Sequence, residues 1–259
     1  MENKLIEEAT LKLKLHNIDT SLAEYLYKYI DNLDKYQEGI DKIINGVPVQ
    51  YIIGNVDFYG LTINVNENVL IPRFETEELV EKTINIMKKN FPNKVDIVDI
   101  GTGSGCIAIA LKKNIKNALV DAVDIEPLAL EVAKKNALKQ KTDINFYEGN
   151  LLEPLNKKYD LIISNPPYIA NDEEIMEIVK KNEPHSALYA NDKGLELYKK
   201  ILDNSKKYLK EKSIIAFEIG ENQGQEIKNY ALNIFKNSKV VIEKDMQKRD
   251  RFIFVYNNI

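Results

Sequence analysis

Five consecutive residues, Ser164-Asn165-Pro166-Pro167-Tyr168, combine the groups needed to hold a substrate amino group. Each proline fixes φ, lacks an N–H and restrains the residue before it, so the backbone carbonyls of Asn165 and Pro166 point in set directions. The Asn165 side chain adds a carbonyl acceptor and an NH₂ donor. Together these carbonyls can accept both hydrogens of a substrate –NH₂ group, and Tyr168 offers a flat apolar face to a planar amide or base. Taken alone, the same residues also describe a Pro-Pro turn that merely ends a strand. A second constellation, upstream, favours chemistry.

That constellation is Gly101-Thr102-Gly103-Ser104-Gly105, which follows the apolar run Val95–Ile100 and leads into a helix near Cys106. Glycines permit positive φ and let a ligand approach the backbone. The next apolar run, Ala118–Val123, ends in Asp124, 19 residues after Gly105, where a carboxylate can bond both hydroxyls of a ribose. The spacing Gly-x-Gly-x-Gly departs from the dinucleotide pattern, and no Gly-Lys-Ser/Thr follows, which disfavours pyrophosphate and triphosphate seats. S-adenosylmethionine, with its ribose and compact non-phosphate tail, fits what remains. In an open α/β sheet ligands gather at the carboxyl ends of the strands, where the glycine loop, Asp124 and Asn165 converge. A further strand from Asn145 runs into a loop flanking the adenine edge. There Asn150 can bond the base and Leu151 pack on it, a plain loop role being the alternative.

These residues require elements to carry them. Residues 1–46 read as helices, with Leu5, Ile6, Ala9 and Leu13 on one face, Leu22, Leu26, Tyr29, Ile30 and Leu33 on a second, and Ile40, Ile43 and Ile44 on a third, stopped by Asn45-Gly46. Residues 47–70 read as a hairpin linker with Val56, Phe58, Leu61 and Ile63 in its strands. Residues 71–259 form the catalytic domain. Its first helix has acidic residues in its first turn, as the helix dipole favours, with Arg73 and Glu75 as functional candidates. Tyr159–Ile163 is a buried strand, and residues 171–192 form an insertion. A helix over 194–210, a strand over 213–219, a helix near 223–236 and strands over 239–242 and 251–255 complete the chain. Ending on two strands predicts an antiparallel final strand.

Composition bounds the function. With 36 basic and 40 acidic residues, net −4, the chain has no general pull toward nucleic acid, and direct nucleic-acid binding is not expected. One cysteine, Cys106, and two distant histidines, His16 and His185, argue against a disulfide framework or a cysteine- or histidine-based metal site. Cys106 reads as a small buried helix residue. No apolar run approaches 18 residues, so the expectation is a cytoplasmic protein without a membrane partner.

The motifs Ile71-Pro72-Arg73-Phe74-Glu75-Thr76-Glu77-Glu78-Leu79, Asp99-Ile100-Gly101-Thr102-Gly103-Ser104-Gly105, Ala122-Val123-Asp124 and Ser164-Asn165-Pro166-Pro167-Tyr168-Ile169 resemble the HemK/PrmC family of protein-glutamine methyltransferases. Glu183-Pro184, Ala187-Leu188, Gly194, Glu218-Ile219-Gly220, Gln223-Gly224, Asp245 and Arg249 extend the likeness over the chain from about residue 47. The resemblance implies an α/β class I methyltransferase fold, a Rossmann-like seven-stranded sheet behind a small N-terminal helical domain that docks the substrate. It implies methyl transfer from S-adenosylmethionine, without metal, to the glutamine of the Gly-Gly-Gln motif of class I peptide chain release factors. Gly101, Thr102, Gly103, Ser104, Gly105, Asp124 and Asn165 would line the cofactor site, and Asn165, Pro166, Pro167 and Tyr168 would hold the glutamine amide. Two departures are Phe74, where the family usually has proline, and a shorter helical domain. Three rivals are a glutamine methyltransferase acting on a ribosomal protein, an adenine amino-methyltransferase acting on nucleic acid, and a non-catalytic binding subunit.

Overall fold

The computed structural model describes residues 2–30 and 32–259. Met1 and Asp31, which the expected helical segment includes, lie outside the described residues. Helices α1 (Glu2–Leu15), α2 (Ser21–Tyr27), α3 (Leu33–Ile44) and α4 (Val49–Ile53) come first. They bury Leu13, Leu26, Tyr36 and Ile40 in a cluster of their own. The expected second face, running to Leu33, is interrupted. The Asn32 side chain accepts from Lys35 N at 3.0 Å and caps α3, so Leu33 opens the next helix and is 53% exposed. Helix α4 is absent from the sequence-based expectation. Its five residues fall between Pro48, which stands at its N-cap, and Gly54, whose φ of +81° ends it.

The hairpin of β1 (Asn55–Phe58) and β2 (Leu61–Asn64) follows, then α5 (Phe74–Asn90). The remaining elements are β3 (Val95–Ile100), α6 (Cys106–Asn114), β4 (Ala118–Asp124), α7 (Pro127–Lys139), β5 (Ile144–Glu148), β6 (Tyr159–Ser164), β7 (Ile169–Ala170), α8 (Glu177–Asn182), α9 (His185–Leu188), β8 (Tyr189–Ala190), α10 (Glu196–Tyr208), β9 (Leu209–Glu218), α11 (Gly224–Ile234), β10 (Lys239–Lys244) and β11 (Asp250–Asn257).

One seven-stranded sheet has the order β10-β11-β9-β6-β3-β4-β5. All its pairings are parallel except those of β11, which runs antiparallel to both β9 and β10, as expected of the final strand. Alternate residues of the central strands face opposite layers. Ile97, Leu161 and Ala216 pack with α5, α6 and α7 on one side, whereas Val98, Ile162 and Ile215 pack with α10 and α11 on the other. Burial on both faces explains why these strands read as continuous apolar runs. Among the described residues no helix is long and apolar enough to cross a membrane.

Candidate active site

Chain direction across the sheet reverses at β3, whose neighbours are β4 on one side and β6 on the other. Such a switch point opens a crevice at the strands' carboxyl ends. The register brings the tips together: Ile100 stands opposite Val123 of β4 and Ser164 of β6, so Gly101, Asp124 and Asn165 each follow immediately beyond a paired residue. A cavity of about 310 Å³ occupies the crevice. Gly101–Ser104, Asp124, Asn150, Leu151 and Asn165–Pro167 line it, joined by Pro72 and Thr76 from the start of α5 and by Pro184, Ser186, Ala187 and Tyr189 opposite.

The loop after β3 is held by its own hydrogen bonds. Gly101 N and Thr102 N both donate to Val123 O, at 2.9 and 3.0 Å, and Thr102 Oγ1 donates to Asp99 Oδ2 at 2.6 Å. Gly101 and Gly103 have φ of +69° and +55°, and a Cβ on either would meet no protein atom within 4 Å. The wall is therefore open where a ligand can approach the backbone. Gly105 shares their positive φ, at +81°, and has a second reason to be glycine. It does not line the cavity, and a Cβ there would stand 3.1 Å from Ala133 Cβ of α7. Its place is in helix packing, not at the ligand surface the sequence suggested.

Asp124 is nearly buried and doubly held: Oδ2 accepts from Gly103 N at 2.7 Å and Oδ1 from Glu126 N at 3.0 Å. Burial raises its pKa despite these bonds. Asn150 is exposed and donates to Glu153 Oε1 at 2.9 Å, while Leu151 beside it adopts φ +51°. The Cys106 thiol is pushed up to about 12 by burial, which leaves no thiolate at neutral pH.

Besides Gly105, three more sequence candidates stand away from the cavity lining. Arg73 pairs with the buried carboxylate of Glu183 and also donates to Ile71 O at 2.9 Å. Glu183 in turn accepts from Ile71 N at 3.1 Å, so this pair fastens the two cavity walls to each other rather than presenting Arg73 to a substrate. Glu75 is half-buried outside the lining. Tyr168 packs against the α10–α11 side of the sheet, and burial pushes its phenol up to about 12. Its carbonyl accepts from Gln223 Nε2 at 2.8 Å, which anchors the turn.

Two buried side chains at the site, Thr76 and Glu218, are not among the candidates that sequence reasoning offers. Asn165 Nδ2 donates to Thr76 Oγ1 at 3.1 Å, and Thr76 Oγ1 donates to Glu218 Oε2 at 2.7 Å. The available signal is Glu218 itself, an acid closing the apolar run Ile214–Phe217 at a strand tip, as Asp124 closes β4. Among the described residues no cluster of three or more His, Cys, Asp or Glu is arranged to hold a metal ion.

Asp99 lies beneath the loop, and burial pushes its carboxyl from 3.8 up to about 7, while its Oδ1 has no hydrogen-bond partner. Between those pH values the folded state binds more protons than the unfolded one, so stability falls as pH rises through the window. Asparagine cannot ionise. Asp99→Asn is therefore expected to gain stability relative to the parent as pH is raised from about 4 to about 7, and to gain no more above that. Urea denaturation across this range checks it; a pH-independent difference would place the Asp99 carboxyl in the ordinary range.

Residues 76–194 match the family described as Methyltransferase small domain. The chain is 42% identical over 230 residues to the release factor glutamine methyltransferase of Bacillus subtilis (strain 168), covering 86% of this chain and 80% of that protein. The chain belongs to the release factor glutamine methyltransferase family. A second member, from Flavobacterium psychrophilum, is 45% identical over 216 residues, covering 80% of this chain and 75% of its own length. Among solved structures, a methyltransferase from Pyrococcus furiosus superposes with a TM-score of 0.57 at 16% identity, covering 77% of this chain and 90% of that one. At that identity the likeness concerns the fold alone. Family membership agrees with the resemblance carried by the glycine loop, Asp124 and Asn165–Tyr168.

Proposed function

We propose that this protein transfers a methyl group from S-adenosylmethionine to the side-chain amide nitrogen of the Gly-Gly-Gln glutamine in class I peptide chain release factors. The observation that carries the reading is Asn165 at the tip of β6, in one cavity with the glycine loop and Asp124. The cofactor fits the residues present. Gly101 and Gly103 leave the wall open to its backbone-hugging part, and Asp124 offers carboxylate lone pairs to ribose hydroxyls. When bound, S-adenosylmethionine supplies an electrophilic sulfonium methyl.

The protein's own task follows from amide chemistry. An amide nitrogen is a poor nucleophile because its lone pair is delocalised into the carbonyl. With Nδ2 engaged by Thr76, Asn165 has Oδ1 free to accept one N–H of the glutamine, while the Pro166 carbonyl accepts the other. Two such bonds draw the nitrogen toward pyramidal geometry and orient its lone pair. Rate enhancement then comes from positioning and fixed dipoles, with no side-chain base needed before transfer; the sulfur would leave as the thioether S-adenosylhomocysteine, and the methylated nitrogen would then release one of its protons to solvent.

Asp124→Asn is expected to weaken cofactor binding about 10- to 100-fold, the worth of one or two charge-assisted hydrogen bonds, and to lower the melting temperature somewhat, because the new NH₂ replaces one of the two acceptors that hold Gly103 N and Glu126 N. Calorimetric titration reads this, and parental affinity would remove Asp124 from the ribose. The reaction itself is tested by radiolabelled methyl transfer to an unmodified release factor and to a variant lacking the Gly-Gly-Gln glutamine. Label on the first alone is the expected result. No label on either, with cofactor bound, would redirect the substrate search to ribosomal protein and nucleic acid.

A further inference from the structure

We propose that Glu218, acting through Thr76, is a positioning residue that sets which end of the Asn165 amide faces the substrate. The inference rests on the role given to Asn165 above and adds the reason that its carbonyl, not its NH₂, is presented.

The argument is one of donor and acceptor counting. Thr76 and Glu218 are 3% and 2% exposed, so neither has water to satisfy it freely. A hydroxyl has one proton to give. An ionised Glu218 can only accept, so the Thr76 proton goes to Oε2, across the 2.7 Å contact. The Thr76 oxygen is then left with acceptor capacity alone, and the Asn165 atom 3.1 Å away must be the donor Nδ2. Oδ1 is consequently the free end of the amide. Without the carboxylate, the hydroxyl could donate to Oδ1 instead, and the flipped amide would point an NH₂ at the substrate NH₂. A donor facing a donor cannot hold the glutamine nitrogen.

Thr76 and Asn165 line the cavity, whereas Glu218 stands behind them and does not reach it. Placement on three elements fixes the relay: Thr76 in the first turn of α5, Asn165 after β6 and Glu218 at the end of β9. Burial acts most on Glu218 and lifts its pKa to about 7; the Thr76 hydroxyl, Arg251 of β11 and the Asn165 amide favour its charge, and Glu75 of α5 opposes it. Tyr168 and Tyr198 feel its charge in turn, and the Tyr198 hydroxyl donates to the Glu218 backbone carbonyl at 2.7 Å. The acid form of Glu218 can donate to Thr76, which reverses the relay.

Two substitutions of similar volume that remove the hydrogen-bonding groups, Thr76→Val and Glu218→Met, test this with Thr76→Ser as the conservative control. The first two are expected to slow turnover by about 10-fold or more, with cofactor affinity close to the parent. Thr76→Ser should recover most of the Thr76→Val loss. The parent's turnover should fall on the acid side of about pH 7, and this limb should vanish in Thr76→Val. A readout free of substrate accompanies these: hydrogen exchange of the Asn165 side-chain NH₂ by NMR, slow in the parent and in Thr76→Ser, and faster by about 10-fold or more in Thr76→Val and Glu218→Met. Equal exchange in all four proteins, parental turnover in Thr76→Val or Glu218→Met, or a serine variant as impaired as valine would overturn the relay. Protected Asn165 protons in a parent that labels no glutamine would instead retire the proposed substrate and leave the relay standing.

Discussion

Asn165→Ala is expected to lower turnover by about 10²-fold or more while cofactor affinity changes little. The substitution removes Oδ1, one of the two acceptors that draw the glutamine nitrogen out of plane. It leaves the Pro166 carbonyl, the glycine loop and Asp124 in place. The Thr76 hydroxyl keeps its bond to Glu218 and loses only an incoming donor, so the fold should tolerate the change. Single-turnover kinetics with saturating cofactor isolate the chemical step. Near-parental turnover would mean that Asn165 merely ends β6, as a Pro-Pro turn alone would have it.

Gly194→Ala is expected to be the most destabilising single methyl in the site's surroundings, by about 3 kcal/mol or more, and to abolish most activity. A Cβ at Gly194 would stand 2.0 Å from Tyr168 O and 2.5 Å from Gln223 Nε2. Those are the partners that hold the Asn165–Tyr168 turn, since Gln223 Nε2 bridges Tyr168 O at 2.8 Å and Lys193 O at 3.1 Å. The backbone also has no slack. Asp192, Lys193 and Gly194 take φ of +53°, +55° and +81° in succession, so the chain turns left-handed just where it meets the turn. Gly46→Ala is the matched control. It has φ +86° with nothing within 4 Å and should lose only the conformational share, about 1–2 kcal/mol. Thermal and urea unfolding of the two variants compare them; similar losses would show that the contact with Tyr168 yields at little cost.

The parallel sheet was readable because each central strand is buried on both faces and ends in a residue unlike its run: Gly101, Asp124 and Asn165. Those same departures marked the ligand crevice. Features decided by distant partners were not readable. Arg73 looked available to a substrate until Glu183, 110 residues away, took its guanidinium. Tyr168 looked like a platform, but its ring lies against the α10–α11 layer. Gly105 looked like its neighbours in the loop and shares their positive φ, but it packs against Ala133 and does not face the cavity. Helix α4 was hidden by its brevity, since five mainly apolar residues suit strand and helix equally.

The position of β11 has a consequence for how the molecule is made. It lies between β9 and β10, although it follows both in the chain. Until residues 250–257 exist, β10 has no strand beside it and β9 presents a bare edge carrying Glu218 at its tip. During synthesis the sheet therefore waits, open on one side, for a strand that closes it from within, and Arg251, whose guanidinium donates to Ile219 O at 3.1 Å, arrives only with that strand. A nascent chain stalled short of residue 250 should hold a half-built sheet that is prone to pairing with a stranger.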